Sequence, residues 1–188
     1  MTTEEVVLLD EDGHDIGTAP KAEVHHARTP LHLAFSCYVL DEAGRLLVTQ
    51  RAAHKLTFGG VWTNSACGHP APGEPIADAV RRRVGQELGL TLDDLRLVLP
   101  AFRYRAEMNG VVENEMCPVF VATTKDAVRL DPEEVDDHEW VDWATFRTGV
   151  LDGTREISPW CVEQVTALPE DLPAAPAASN DTLPPAAR

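Results

Sequence analysis

Short apolar runs separated by turn-forming residues fill the first third of the chain. Residues 41–44 have the composition of a turn, so residues 45–51 are predicted to return as the hairpin partner of the apolar run before them. A Gly-Gly pair at 59–60 precedes another such run. The complete set of predicted strands is 6–10, 31–40, 45–51, 61–66, 97–106, 111–123 and 138–141.

The apolar spacing changes to that of a helix between residues 75 and 88. Apolar side chains recur there every three or four positions, with arginines between them. Pro75 suits the first turn of a helix, and Gly89 suits the position just after its end. Two further helices are predicted at 143–151 and 158–167. Hairpin-linked strands interleaved with a few helices are typical of an α+β sandwich or an open barrel.

A chain of 188 residues is expected to form one domain, which we place at residues 1–167. Residues 168–188 contain five prolines among alanines and small polar residues, and no aromatic residue. Such a segment offers little apolar surface to offset the entropy lost on ordering. The sequence therefore predicts a disordered Pro/Ala-rich tail.

Charge and composition narrow the possible partners. Acidic residues outnumber basic ones by 31 to 16, for a net charge of −15, and this sign repels nucleic-acid phosphates. No apolar run approaches the roughly 20 residues that span a bilayer, and the N-terminus is acidic where a signal peptide is basic. We therefore expect no nucleic-acid partner, no membrane partner and a cytoplasmic location. The four cysteines form no CxxC pair and are expected to be free thiols.

Residue types that bind metal occur two positions apart in two places, directly after the predicted strand 61–66 and within the predicted strand 111–123. Alternate residues of a strand share a face, so each of the two pairs can converge on one site, and two histidines lie shortly upstream. The candidates are His25, His32, Cys67, His69, Glu113 and Glu115. Imidazoles combined with carboxylates suit Mn²⁺, Mg²⁺, Fe²⁺ or Zn²⁺. A single histidine is more often a surface residue, so the prediction depends on the whole set.

The helix at 75–88 and the segment before it resemble the Nudix box, in which glutamates on one helix face collect divalent metal. GHPAPGEPIADAVRRRVGQELGL matches the box at seven spaced positions, Gly68, Glu74, Arg82, Val84, Glu87, Gly89 and Leu90. Arg83 and Gln86 replace two of the three metal-binding glutamates, which weakens a hydrolase centre. The resemblance implies an α+β fold, a Nudix-like α/β/α sandwich with mixed sheets and a metal-binding helix. The alternative is an ordinary amphipathic helix that ends at a glycine.

Five motifs together resemble the type I isopentenyl-diphosphate isomerases, a branch of the Nudix superfamily. They are LHLAFS at 31–36, GVWTNSACGHP at 60–70, FRYRA at 102–106, VENEMCPVF at 112–120 and SPW at 158–160. The resemblance implies interconversion of isopentenyl and dimethylallyl diphosphate by proton transfer at carbon, a step of isoprenoid biosynthesis. It also implies a small prenyl diphosphate as the partner, no flavin, and a monomer or weak homodimer.

The same resemblance implies two divalent ions. One is tightly bound Mn²⁺, Mg²⁺ or Zn²⁺, and its ligands are His25, His32, His69, Glu113 and Glu115. The other is Mg²⁺ that arrives with the substrate diphosphate and is held by Glu87 and the backbone carbonyl of Cys67.

Catalytic and substrate-binding roles also follow from the resemblance. Cys67 and Glu115 form the acid/base pair, with Tyr104 beside Glu115 in the proton path. The substrate-binding residues are Lys21, Arg51 and Lys55 for the diphosphate and Trp160 for the carbon skeleton. An indole face can stabilise a carbocation without attacking it, which suits a reaction that protonates an alkene.

Two other functions are compatible with the scaffold. A Nudix hydrolase of a diphosphate-containing substrate would release phosphate. A Nudix-like binding module without activity would have no use for Cys67, Tyr104, Glu113 and Glu115 together. Two of the three lysines of the chain, Lys21 and Lys55, fall in the implied diphosphate site, although surface lysines are common.

Overall fold

The fold is described by a computed structural model that covers residues 4–188. Its strands are β1 (Glu5–Leu9), β2 (Asp15–Pro20), β3 (His32–Leu33), β4 (Phe35–Leu40), β5 (Arg45–Arg51), β6 (Trp62–Thr63), β7 (Ala66–Gly68), β8 (Asp93–Leu99), β9 (Arg103–Met108), β10 (Val111–Met116), β11 (Val119–Thr123) and β12 (Val135–Asp142). Its α-helices are α1 (Lys21–Val24), α2 (Ile76–Leu88), α3 (Trp143–Leu151) and α4 (Pro159–Ala167). Residues 1–3 of the predicted domain lie outside the described residues. Within residues 4–188, no helix combines the length and the apolar character needed to cross a bilayer.

The smaller sheet has the strand order β2-β1-β3-β10-β9. A tight turn at Asn109 and Gly110, both with positive φ, joins β9 to β10, as is usual for a two-residue hairpin. Glu115 pairs with Tyr104 across this hairpin and with His32 across the parallel contact between β3 and β10. The register therefore places these three residues side by side on neighbouring strands.

The larger sheet has the strand order β12-β5-β4-β11-β8, and the short strands β6 and β7 pair with β5 and β4. Consecutive side chains of β4 point to opposite faces of this sheet. Phe35 and Val39 pack in the core that contains the apolar face of α2, whereas Tyr38 packs in the core that contains residues of α3 and α4. Helices thus cover both faces, and the predicted α/β/α sandwich with mixed sheets is confirmed. Each fully buried large apolar side chain adds about 1.5–3 kcal/mol to stability.

Several predicted strands are divided in two because the chain crosses from one sheet to the other. The 31–40 run breaks at Ala34, and the 111–123 run breaks at Cys117 and Pro118. At these breaks the amides of Ala34 and Ser36 donate to the carbonyls of Met116 and Pro118, so the two segments cross together. The sequence analysis did not predict β2 or the four-residue helix α1.

The structure corrects the prediction of a disordered tail. Leu172 and Leu183 are buried in the two cores, and the amides of Ala178 and Ala186 donate to the carbonyls of Leu97 and Gly13. The segment includes two short 3₁₀ turns, Asn180–Thr182 and Pro185–Ala187. A Pro/Ala-rich composition predicts only that a segment lacks regular secondary structure. It does not indicate whether other elements of the fold provide an apolar surface on which the segment can pack. Residues 168–188 therefore belong to the domain.

Candidate active site

A cavity of about 380 Å³ collects almost all of the predicted site residues. Its lining includes Lys21, His25, Arg51, Lys55, Cys67, His69, Glu87, Tyr104, Glu113, Glu115 and Trp160. His32 does not line the cavity, because it is fully buried on β3 next to Glu115. The predicted residues thus converge on one place in the fold, although they come from both sheets and three helices.

Three histidines surround one oxygen of Glu115. The Oε1 atom of Glu115 lies 3.0 Å from Nε2 of His69, 3.3 Å from Nε2 of His32 and 4.0 Å from Nε2 of His25. The ring centroids of the three imidazoles lie 5.1 to 5.7 Å apart. These four residues can each direct one ligand atom toward a common point.

The hydrogen bonds of His32 and His25 are compatible with a bound metal ion. Nδ1 of His32 lies 2.9 Å from the Pro30 carbonyl, and a proton on that nitrogen leaves the Nε2 lone pair facing Glu115. Nε2 of His25 is buried and has no hydrogen-bond partner among the described residues. A buried polar atom without a partner is costly, and a cation at this point would supply one. The residues present therefore fit a divalent ion with nitrogen and oxygen ligands.

The charges of the group depend on one another. Burial alone would raise the pKa of Glu115, but the surrounding imidazoles outweigh it and hold that pKa well below its usual value. Burial lowers the pKa of His69 to about 4, against the opposing effect of Glu115. Burial also acts to lower the pKa of His32, but the hydrogen bond and charge of Glu115 dominate and raise it. The carboxylate of Glu115 is thus anionic at neutral pH.

The hydroxyl of Tyr104 links Glu113 to this group. The Tyr104 hydroxyl is 2.8 Å from Oε2 of Glu113 and 2.8 Å from Oε2 of Glu115, and it can donate to either. Burial and the charge of Glu115 raise the pKa of Glu113. Tyr104 therefore connects a carboxyl group whose pKa is raised to one whose pKa is lowered. Glu113 lies outside the four-residue group, so its predicted role as a ligand is a proposal.

Cys67 and Trp160 both line the cavity. Sγ of Cys67 contacts the hydroxyl of Ser36 at 3.4 Å, and burial raises the pKa of this thiol to about 12. Trp160 is buried at the start of α4, with its ring centroid 5.0 Å from that of Phe58 and 5.6 Å from that of Tyr104. The neutral thiol of Cys67 thus lines the same cavity as the aromatic side chains of Tyr104 and Trp160.

Three cations also line the cavity, and each has a partner. Lys21 contacts Glu4 at 2.7 Å, Lys55 contacts Glu134, and the guanidinium of Arg51 donates to the Thr57 carbonyl at 3.0 Å. The Arg51 guanidinium also lies 6.0 Å from the Trp160 ring centroid, so this cation lies beside the aromatic residues.

Arg83 is a fourth cation of the cavity, which the sequence analysis missed. It pairs with Glu87 at 2.5 Å and with Glu134 at 2.8 Å. The signal was its position four residues before Glu87, which places both side chains on one helix face. The absence of a side chain at Gly68 allows the close approach of α2, because an added Cβ would lie 3.0 Å from Cγ of Arg83 and 2.9 Å from Cζ of Phe35.

Glu87, predicted to hold Mg²⁺, is buried on α2 and lines the cavity beside Arg83. Burial raises its pKa, and the charge of Arg83 opposes this effect. Glu87 is thus separate from the histidine group and lies beside the cation Arg83.

Sequence comparisons agree with the geometry. The NUDIX domain family matches residues 30–161. An isopentenyl-diphosphate Delta-isomerase from Mycolicibacterium vanbaalenii is 61% identical over 168 residues, which cover 89% of this chain and 92% of the relative. A protein of the same name from Saccharopolyspora erythraea is 60% identical over 168 residues, with 89% and 87% coverage.

Solved structures support the fold alone. The DR0079 protein of Deinococcus radiodurans aligns with a TM-score of 0.68 at 16% identity, covering 87% of this chain and 98% of that one. The MutT protein of Methanosarcina mazei aligns with a TM-score of 0.57 at 20% identity, covering 73% and 92%. Together, the domain match and the identity to curated relatives show that the chain belongs to the NUDIX family and, within it, to the isopentenyl-diphosphate Delta-isomerases.

Proposed function

We propose that this protein interconverts isopentenyl diphosphate and dimethylallyl diphosphate. The observation that carries the proposal is one cavity lined by a group of cations, Lys21, Arg51, Lys55 and Arg83, and by an acid/base and aromatic group, Cys67, Tyr104, Glu115 and Trp160. A small ester with an anionic head and a short apolar tail matches both groups. The identity to curated isomerases over most of the chain supports the same substrate.

The group of cations is proposed to bind the diphosphate. On a chain with a net charge of −15, four cations in one cavity form a distinct anion-binding site. Arginines match phosphate oxygens with paired donors, whereas lysines supply point charge. Glu4 pairs with Lys21, and Glu134 pairs with Lys55 and Arg83, so diphosphate binding exchanges these protein ion pairs for pairs with the substrate.

The acid/base group is proposed to move protons. One group of the pair Cys67 and Glu115 donates a proton to C4 of isopentenyl diphosphate, which leaves a tertiary cation at C3. The other removes a proton from C2, and the new double bond forms between C2 and C3. Tyr104 bridges the carboxyl groups of Glu113 and Glu115 and can pass a proton between them. The general acid and base are thus supplied by side chains already in the cavity.

The aromatic residues are proposed to protect the cation. Trp160 and Tyr104 face the cavity beside Cys67, and their π faces can stabilise positive charge without adding to it. Cation–π contacts are worth about 2 kcal/mol or more once desolvated. Exclusion of water prevents capture of the cation as an alcohol.

Divalent metal is the proposed cofactor. NUDIX proteins typically use divalent ions, and His25, His32, His69 and Glu115 would hold one here, with Glu113 as a further ligand. A bound ion supplies positive charge next to Glu115. Its identity as Mn²⁺, Mg²⁺ or Zn²⁺ is a proposal, as is Mg²⁺ at Glu87 and the Cys67 carbonyl. The cytoplasmic location, the monomeric or weakly dimeric state and the absence of nucleic-acid and membrane partners remain predictions from the sequence.

Product analysis tests the function. Purified protein incubated with isopentenyl diphosphate and Mg²⁺ is expected to yield dimethylallyl diphosphate and no free phosphate or pyrophosphate. The hydrolase alternative predicts phosphate release, and the binding-module alternative predicts no product. The hydrolase alternative is disfavoured because Arg83 places a salt-bridged cation where the Nudix box has a metal-binding glutamate.

A further inference from the structure

Asn64 lies at the centre of a buried hydrogen-bond network behind the cavity. It is fully buried in the segment between β6 and β7. Its Oδ1 atom accepts from Sγ of Cys67 at 3.3 Å, from Nε1 of Trp160 at 3.1 Å and from Oγ1 of Thr63 at 2.9 Å. Two of these three donors are the thiol and the indole of the proposed reaction site.

The orientation of the Asn64 amide is fixed by its partners. Its Nδ2 group donates to the carbonyls of Cys37 at 3.1 Å and Ala66 at 2.9 Å. The indole of Trp160 can only donate. A flipped amide would set Nδ2–H against the indole N–H and Oδ1 against two carbonyl oxygens, leaving at least three buried polar groups unsatisfied. The acceptor therefore faces Cys67 and Trp160.

The backbone does not hold Cys67 and Trp160 next to each other. Cys67 belongs to β7 in the larger sheet, whereas Trp160 belongs to α4, more than 90 residues later in the chain. We propose that Asn64 is a positioning residue that holds the thiol of Cys67 and the indole of Trp160 in one fixed relation to the substrate carbons. The inference rests on the proposed function and adds to it a residue that does not touch the substrate.

Loss of this link has a particular kinetic consequence. The cations that bind the diphosphate make no hydrogen bond to Asn64, so substrate affinity is retained. A misplacement of about 1 Å at a reacting group can cost about 10²-fold in rate. A displaced indole also leaves the tertiary cation open to water, which adds its oxygen to C3 and releases a proton, giving a tertiary alcohol diphosphate.

The experiment compares Asn64→Ala and Asn64→Asp with Ser65→Ala. Ser65 is the matched control, because it is equally buried in the same segment but bonds only the backbone of Val39 and Leu47. We expect Asn64→Ala to lower kcat about 10²-fold with KM within about threefold of wild type. Asn64→Asp keeps an acceptor oxygen but loses the donors that lock it, so its kcat is expected to lie between those of wild type and Asn64→Ala.

Product partitioning is the readout that a purely structural role would not change. Both Asn64 variants are expected to form tertiary alcohol diphosphate alongside dimethylallyl diphosphate, whereas Ser65→Ala is expected to form none. If Asn64→Ala does not fold, the same comparison is made with Asn64→Asp. A folded Asn64 variant with the kcat and products of Ser65→Ala would overturn the inference. Failure of the wild-type protein to isomerise the substrate would instead overturn the proposed function.

Discussion

Arg83 and Glu87 form a buried salt bridge, 2.5 Å long, on the face of α2 that lines the cavity. A Nudix hydrolase resembling this chain in the box would carry two carboxylates at these positions. Here the first is a cation, and a second acid, Glu134, neutralises it from the other side at 2.8 Å. One helix-face carboxylate is therefore left for metal, and it lies next to the cations proposed to bind diphosphate.

Glu87→Gln is expected to weaken Mg²⁺-dependent substrate binding without releasing the ion held by the histidines. The amide keeps the size of the side chain but removes the charge, while Arg83 keeps Glu134 as a partner. Steady-state kinetics at varied Mg²⁺ should show a higher KM and a higher Mg²⁺ requirement. Metal content should equal that of the wild-type protein, and loss of that metal would move Glu87 into the histidine site.

His69→Asn is expected to remove most of the tightly held metal. Nε2 of His69 lies 3.0 Å from Oε1 of Glu115 at the centre of the four-residue group. His54→Asn is the control, because His54 is exposed and pairs only with Glu133 at 3.7 Å. Elemental analysis of protein purified without chelators or a metal-affinity step should give close to one ion per chain for wild type and His54→Asn. Full metal content in His69→Asn would contradict the assignment.

Lys55→Ala is expected to raise KM with a smaller effect on kcat. Hydrogen bonds to charged groups are worth about 1.5–3 kcal/mol, or roughly 10- to 10²-fold in affinity. Lys125→Ala provides the control, since Lys125 is exposed and does not line the cavity. Inorganic pyrophosphate binding by calorimetry gives an independent measure. Equal affinities for the two variants would exclude Lys55 from the diphosphate site.

Leu172→Ala is expected to destabilise the fold by about 2–5 kcal/mol, because Leu172 is fully buried in the tail segment. Leu151→Ala, at a side chain that is 45% exposed, is expected to change stability by less than about 1 kcal/mol. Urea denaturation followed by circular dichroism measures both. Equal midpoints for the two variants would restore the prediction of a disordered tail.

The sequence allowed prediction of the elements whose local pattern is strong. The helix at α2 was predicted from its apolar spacing and from Gly89, which takes the left-handed conformation at φ 66°. The strand β5 and the helices α3 and α4 were placed to within a residue. The packing of the tail was not predicted, because burial of Leu172 and Leu183 depends on surfaces that distant segments create.

The sequence allowed prediction of which residues come together in the candidate site, but not of the contacts between them. Alternation along β10 placed Glu113 and Glu115 on one face, yet only the pairing of β3, β9 and β10 shows that Tyr104 and His32 flank Glu115. Asn64 gave no signal, since a single asparagine between two short strands resembles an ordinary turn residue. Its role depends on Trp160, whose position relative to β7 is set by the packing of α4.

This cavity is proposed to move protons at carbon and to leave the diphosphate intact, and one experiment in deuterated water tests this function most directly. With isopentenyl diphosphate and Mg²⁺ in D₂O, the protein should form dimethylallyl diphosphate that carries deuterium in its methyl group, with no release of phosphate. Cys67→Ala and Glu115→Gln should each abolish this incorporation, because general acid–base groups contribute about 10²–10⁴-fold and the proposed reaction requires both. Phosphate release without deuterium at carbon would contradict the account, and a near-normal rate in Cys67→Ala would remove the thiol from the mechanism.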